Sequence, residues 1–171
     1  MKNILFMILI LVSGLEMNAQ MAIGKQTIDG SGIIDFASGG FSGIVLPWVT
    51  TLPEGSALSP GMLIYDAIQK KVMYYNGTIW VDLSKRTGAV NLSEQNAIPA
   101  GPEKTEGTVL GALSSSIKGV LVLETTDKAL ILPKVVSPHL NIVNPMAGTI
   151  CYDTTKKMLC IYNGSEWSFW K

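Results

Sequence analysis

GMLIYDAIQKKVMYYNGTIW, residues 61–80, returns as GTICYDTTKKMLCIYNGSEW, residues 148–167. The spacing from Gly61 to Gly148 holds through to Trp80 and Trp167, and eight of the twenty positions are identical. Among the identities are Tyr65/Tyr152, Asp66/Asp153, Tyr75/Tyr162, Asn76-Gly77/Asn163-Gly164 and the two tryptophans. Upstream, Gly43-Ile44-Val45-Leu46-Pro47 lies on Ala129-Leu130-Ile131-Leu132-Pro133, and Gly32 to Phe36 lies on Gly119 to Leu123. An ordered series of matches broken by one small gap is a duplication.

Each copy reads as β-structure. Asn-Gly flanked by aromatic and β-branched residues is the strongest short hairpin signal, because a type I′ turn needs positive φ at both central positions. Two further strand-like runs precede it, joined by four residues. The pattern therefore predicts a three-stranded antiparallel meander over 61–66, 71–75 and 78–83, and again over 148–153, 158–162 and 165–170. The fold class is all-β, with two small duplicated units. A hairpin turn at Ser38 to Gly43, between Phe36 and Ile44, is also expected.

Register follows from the loop lengths. A four-residue loop sets Asp153 opposite Met158, and hence Cys151 opposite Cys160 and Ile64 opposite Met73. A two-residue Asn-Gly turn would then put Trp167 opposite Cys160 and Trp80 opposite Met73. These columns share one face, read here as the core side, with Tyr65 and Tyr152 also among the repeat's core positions. Facing cysteines in an oxidising compartment predict a Cys151–Cys160 disulfide, the alternative being two reduced thiols packed as small apolar groups. Their C-x8-C spacing is not that of a redox motif.

The beginning of the chain supports that compartment. Lys2, the apolar run Ile4 to Val12 and a polar stretch ending at Ala19 have the order of a secretory signal peptide, with cleavage after Ala19. The expected organisation is thus a signal peptide at 1–19, a first β repeat at 20–83, a linker or long loop at 84–118 and a second repeat at 119–171. Thr108 to Ile117 is alternatively the opening strand of the second copy. No later run of about 18 apolar residues follows, so no integral membrane segment is expected after cleavage. Nor does the last strand leave room for a C-terminal anchor.

Thirteen basic residues balance thirteen acidic ones, which argues against nucleic-acid binding through counterion release. Catalytic chemistry is sparse. His139 is the only histidine, no G-x-S-x-G elbow is present, and the glycines at 39, 40 and 43 lack the lysine of a phosphate loop. Asp66 and Asp153 stand before turns, where aspartate bonds backbone amides. No cofactor or metal site is expected, and the chain is read as a non-enzyme.

The order G-hydrophobic-x-L-P, P-(x-x)-G-x-x-x-Y-D and K-x-x-x-x-Y-N-G-x-x-W, found at Gly43 to Pro47, Pro60 to Asp66 (where the two optional residues are absent) and Lys70 to Trp80, resembles a module of exported, largely uncharacterised bacterial surface proteins of tail-fibre-like kind. It returns at Ala129 to Pro133, with alanine in place of the first glycine, Pro145 to Asp153 and Lys157 to Trp167. The resemblance implies a structural or adhesive role and makes a homotrimer one expected form of self-association.

Positions where the copies differ are where a specific role could sit. Trp48 is matched by Lys134, Phe41 by Asp127 and Tyr74 by Ile161. Trp48, Phe41 and Tyr74 are therefore the candidate interaction patch for a glycan or a protein partner, the alternative being that they pack between the repeats. Trp170, matched by Leu83, is expected in the core. The sequence thus reads as an exported structural or adhesive protein of the bacterial envelope or exterior, periplasmic, surface-bound or extracellular. A secreted carbohydrate-binding module is the alternative and a small secreted hydrolase the remote one.

Overall fold

The computed structural model describes residues 20–94, 107–117 and 119–171. The expected signal peptide, residues 1–19, and residues 95–106 of the expected linker lie outside them. Strand accounts for 35% of the described residues and helix for 7%, so the architecture is all-β, in a β-solenoid-like arrangement.

Both meanders are present. In the first repeat β4 (Trp48–Val49), β5 (Leu63–Asp66), β6 (Lys71–Tyr75) and β7 (Trp80–Asp82) form one sheet in that order. In the second, β11 (Lys134–Val135), β12 (Thr149–Asp153), β13 (Met158–Tyr162) and β14 (Trp167–Trp170) repeat it. The four-residue loops close as predicted, pairing Asp66 with Lys71 and Asp153 with Met158. Lys70 and Lys157 take the left-handed residue of each loop, at φ 60° and 55°. Asp66 Oδ1 accepts the amides of Ile68 and Gln69, and Asp153 Oδ1 those of Thr155 and Lys156.

The second turn of each meander is longer than predicted. Tyr75 pairs with Trp80 and Tyr162 with Trp167, so Trp80 is not opposite Met73, nor Trp167 opposite Cys160. The cause is the asparagine. In a type I′ turn both Asn and Gly take positive φ; here only Gly77 and Gly164 do, at φ 99° and 96°. Asn76 Oδ1 instead accepts the amides of Thr78 and Ile79, and Asn163 Oδ1 those of Ser165 and Glu166. Such side-chain turns enclose four residues. The resulting slip is two residues, which preserves every side chain's face.

The shorter strands extend the duplication. β1 (Met21–Ile23) runs parallel to β2 (Gly32–Phe36), and β8 (Thr108–Leu110) runs parallel to β9 (Leu121–Leu123) in the same register. β8 is therefore the opening strand of the second copy, inside the stretch expected as linker. Val90 and Leu92, from the start of that stretch, pack on the core beside Leu83.

The repeats exchange strands. β3 (Ile44–Val45), from the first copy, pairs antiparallel with β12 of the second, Ile44 opposite Ile150. Its counterpart β10 (Ala129–Leu130) pairs parallel with β2 of the first. The hairpin expected between Phe36 and Ile44 is therefore absent: β3 leaves its own repeat. Gly43 permits this, since a Cβ there would lie 2.6 Å from the Ile150 carbonyl oxygen.

The main core lies between the meanders, on the face opposite the one expected. Leu46, Tyr65, Ala67 and Val72 meet Ala147, Ile150 and Ile161. The cysteine face carries a second, smaller cluster of Val135, Cys151 and Cys160, with Ile142 and Trp167 against it. Both faces of each sheet are covered, so alternation alone could not distinguish them.

Candidate functional site: the seam between the repeats

Among the described residues the unmatched side chains gather where the two copies meet. Tyr65, fully buried, donates its hydroxyl to the Asn163 carbonyl at 2.8 Å, crossing from the first repeat to the second. Burial pushes its pKa up to about 12. Its counterpart Tyr152 is only half-buried, as are Trp80 and Trp167, whose rings tilt against Tyr75 and Tyr162 at 5.5 and 5.3 Å. Trp48 Nε1 donates to the Ala147 carbonyl at 2.7 Å, and its ring lies 6.1 Å from that of Tyr65. Lys134, which replaces Trp48 in the second copy, crosses the other way to Asp29 at 3.0 Å.

Thus Trp48 belongs to the seam, as the packing alternative held. Phe41 is 65% exposed, in the loop before β3. Tyr74 is half-buried on the face of β6 that carries Val72. The glycan reading loses its leading aromatic. Trp170 is a second correction: it is 37% exposed, with Nε1 bonded to the Leu83 carbonyl and the Lys85 ammonium 4.8 Å from its ring centroid. As part of the last strand its ring caps the sheet edge instead of entering the core.

Sequence reasoning missed the polar members of the seam. Ser84, buried, receives the Val72 amide on its hydroxyl and the Ser168 hydroxyl on its carbonyl, both at 2.6 Å. Asn163, also buried, donates Nδ2 to the Arg86 carbonyl, so the segment after the first meander closes over the second repeat's turn. Asp35 has no acidic counterpart, since Val122 takes its place. It is fully buried, paired with Lys25 at 2.6 Å and bonded by the Asp29 amide at 2.8 Å. Burial pushes its carboxyl up, but the Lys25 bond, the Asp29 amide and the Lys25 charge together outweigh this, and the pKa falls below the ordinary range. A lone acid in an apolar strand was the available signal.

The expected disulfide is absent. Cys151 and Cys160 face each other as predicted, yet both are free thiols, fully buried. The Tyr152 and Thr154 amides bond to Pro133 and Val135 on the β11 side, so Cys151 points its backbone at β13 and the cysteines form a hydrogen-bonded pair. Such pairs hold Cβ atoms toward about 5.5 Å, whereas a disulfide needs about 3.8 Å. A hydrogen bond with Cys160, together with burial, pushes the Cys151 thiol well up. This pair is not a reactive one.

A shallow depression at Lys85, Arg86, Glu166 and Trp167 to Phe169 brings no two carboxylates together. His139, on the single turn α1 (Pro138–Asn141), stands edge-on to Phe169 at 5.8 Å. Among the described residues no group of three or more His, Cys, Asp or Glu side chains is placed to hold a metal ion, and no helix is long and apolar enough to cross a membrane.

What the geometry offers is a two-copy β framework joined by exchanged strands. The family model described as the phage tail-like trimerisation region matches residues 22–109 and again residues 111–170. The chain belongs to that family. The two matches meet at the end of β8, close to one repeat length after β1, in agreement with the strand symmetry. No curated protein and no solved structure matches the chain. A trimerisation region is a structural, self-associating element, and the family match covers the seam and both meanders.

Proposed function

We propose that this protein is an exported, non-catalytic component of a fibre-like or adhesive assembly at the bacterial envelope or exterior, built as a homotrimer. The observation that carries the reading is the family match over both repeats. The signal-like N-terminus supports export, and the surface-protein module of Gly43 to Trp80 and Ala129 to Trp167 fits the same setting. The polar groups of the seam are spent on backbone partners and on the Lys25–Asp35 and Lys134–Asp29 ion pairs.

Light scattering coupled to gel filtration tests this on the full chain, run with and without reductant. Three times the 18.4 kDa chain mass is expected in both buffers. A monomer at tens of micromolar overturns the reading. A trimer that dissociates in reductant would instead place a disulfide between chains, against the buried thiols described above.

A further inference from the structure

The two repeats use opposite edges of one equivalent strand. In β3, Leu46 donates its amide to the Gly148 carbonyl, so the backbone groups of Ile44 and Leu46 face β12. Gly43 and Val45 face the other edge. In β10 the amides that reach β2 belong to Ala129, bonded to the Ser31 carbonyl, and Ile131, bonded to the Ile34 carbonyl. Ala129 and Ile131 are the counterparts of Gly43 and Val45. Superposed, the repeats describe a strand with both edges filled, one by the following unit and one by the preceding unit. Within one chain β3 has the first partner and β10 the second.

The strand that would fill the second edge of β3 is the counterpart of β2, namely β9. Among the described residues β9 pairs only with β8. The Thr108 amide bonds the Val120 carbonyl, which turns the backbone groups of Leu121 to the open edge. Leu121 is the counterpart of Ile34, whose carbonyl accepts Ile131. Val120 and Leu121 are 75% and 50% exposed, and Val45 is 47% exposed. Exposed Val45 and Leu121 thus stand on the two strands that the internal symmetry would bring together, with exposed Val120 just before β9.

We infer that β9 receives β3 from a second copy of this chain, parallel, with Ile44 opposite Leu121 and Gly43 opposite Gly119. The inference rests on the self-association reading and specifies where it occurs. Steric fit favours this seam over the other open position. Gly43 lacks a side chain and meets Gly119, the counterpart of Gly32, so two backbones approach freely. The remaining position would set β10 against the Leu63 end of β5, and there Ala129 carries the Cβ that Gly43 must lack beside Ile150. The contact is head-to-tail: each chain offers β3 and accepts on β9. Such contacts close into a ring when the rotation permits and otherwise extend as a filament; the family's trimeric character selects the ring.

The test is light scattering on the full chain and two variants. Val45→Pro removes the amide that would bond the neighbour's Leu121 carbonyl without touching the β3–β12 ladder. Leu121→Lys places a charge on the receiving strand. The expected result is a trimeric parent and monomeric variants with the parent's circular dichroism. A monomeric parent overturns the self-association reading and this inference together. Variants that remain trimeric overturn the edge assignment alone. Should either variant fail to fold, hydrogen exchange on the parent trimer decides. A Val45 amide slowed about tenfold or more below an unpaired amide supports the seam, and one exchanging freely overturns it.

Discussion

Tyr65 shows how one phenol can tie two copies of a sequence together. Its hydroxyl reaches the other repeat at the Asn163 carbonyl, 2.8 Å away, with the Ala89 carbonyl a longer second acceptor at 3.4 Å. Tyr65→Phe leaves that buried acceptor short of a partner and should cost about 1 kcal/mol in urea unfolding. Because its pKa is raised from 10 to about 12 in the folded chain, the neutral phenol lends stability that is whole below pH 10 and drains as pH rises through 12. The variant should lose that alkaline component of the pH–stability curve. Asp35 behaves oppositely. Its folded pKa is lowered, so its contribution is whole above the unfolded carboxylate value of about 3.9 and falls away as pH drops through the folded value. Asp35→Asn should flatten the acid limb of thermal midpoints measured from pH 6 to 2; an unchanged limb would assign acid sensitivity elsewhere.

At the scale of elements, Gly43 and the cysteine pair make the clearest tests. A Cβ at Gly43 would meet the Ile150 carbonyl at 2.6 Å, and backbone there cannot yield without moving β3 off β12. Gly43→Ala should cost about 1–3 kcal/mol, read as a lower urea midpoint. Cys151 and Cys160 should ignore thiol reagents in the native protein and yield two thiols per chain in denaturant. None would restore the disulfide. The meanders and the four-residue loops were legible because their turn residues act locally: the Asp and Asn side chains bond amides two or three residues on, and Gly77 and Gly164 take positive φ. The Asn-Gly turns were half legible, since the same dipeptide serves a type I′ turn through φ or a four-residue turn through its side-chain oxygen. Only the partner strand reveals which. The face of the core was not legible, because both faces are covered and a tyrosine does not declare where its hydroxyl finds an acceptor. Nor did Ser38 to Gly43 disclose that β3 departs for the other repeat, as its partner lies about a hundred residues downstream.

At the scale of the whole molecule, duplication has produced one body, not two. Each repeat holds a strand of the other, and the main core draws on both. Thermal unfolding should therefore proceed as one transition, with calorimetric and van't Hoff enthalpies equal at fixed oligomeric state. Two resolved transitions would mean that the repeats are separable. The site expected from sequence, an aromatic patch, was sought where the copies differ, and that was the right place for the wrong reason. Trp48 and Lys134 differ because the seam is asymmetric: one anchors to Ala147 and the other to Asp29. Matched Tyr65 and Asn163 and unmatched Trp48 and Lys134 alike join the copies.

The exchanged strands also set an order of events during synthesis. When the first repeat has left the ribosome, β2 has an edge awaiting β10, and β3 has no ladder until β12 is made. The nascent half must therefore hold an unfinished sheet while roughly a hundred further residues are polymerised, several seconds at ordinary translation rates. An open parallel edge of that kind is a template for pairing with the next nascent chain on the same message.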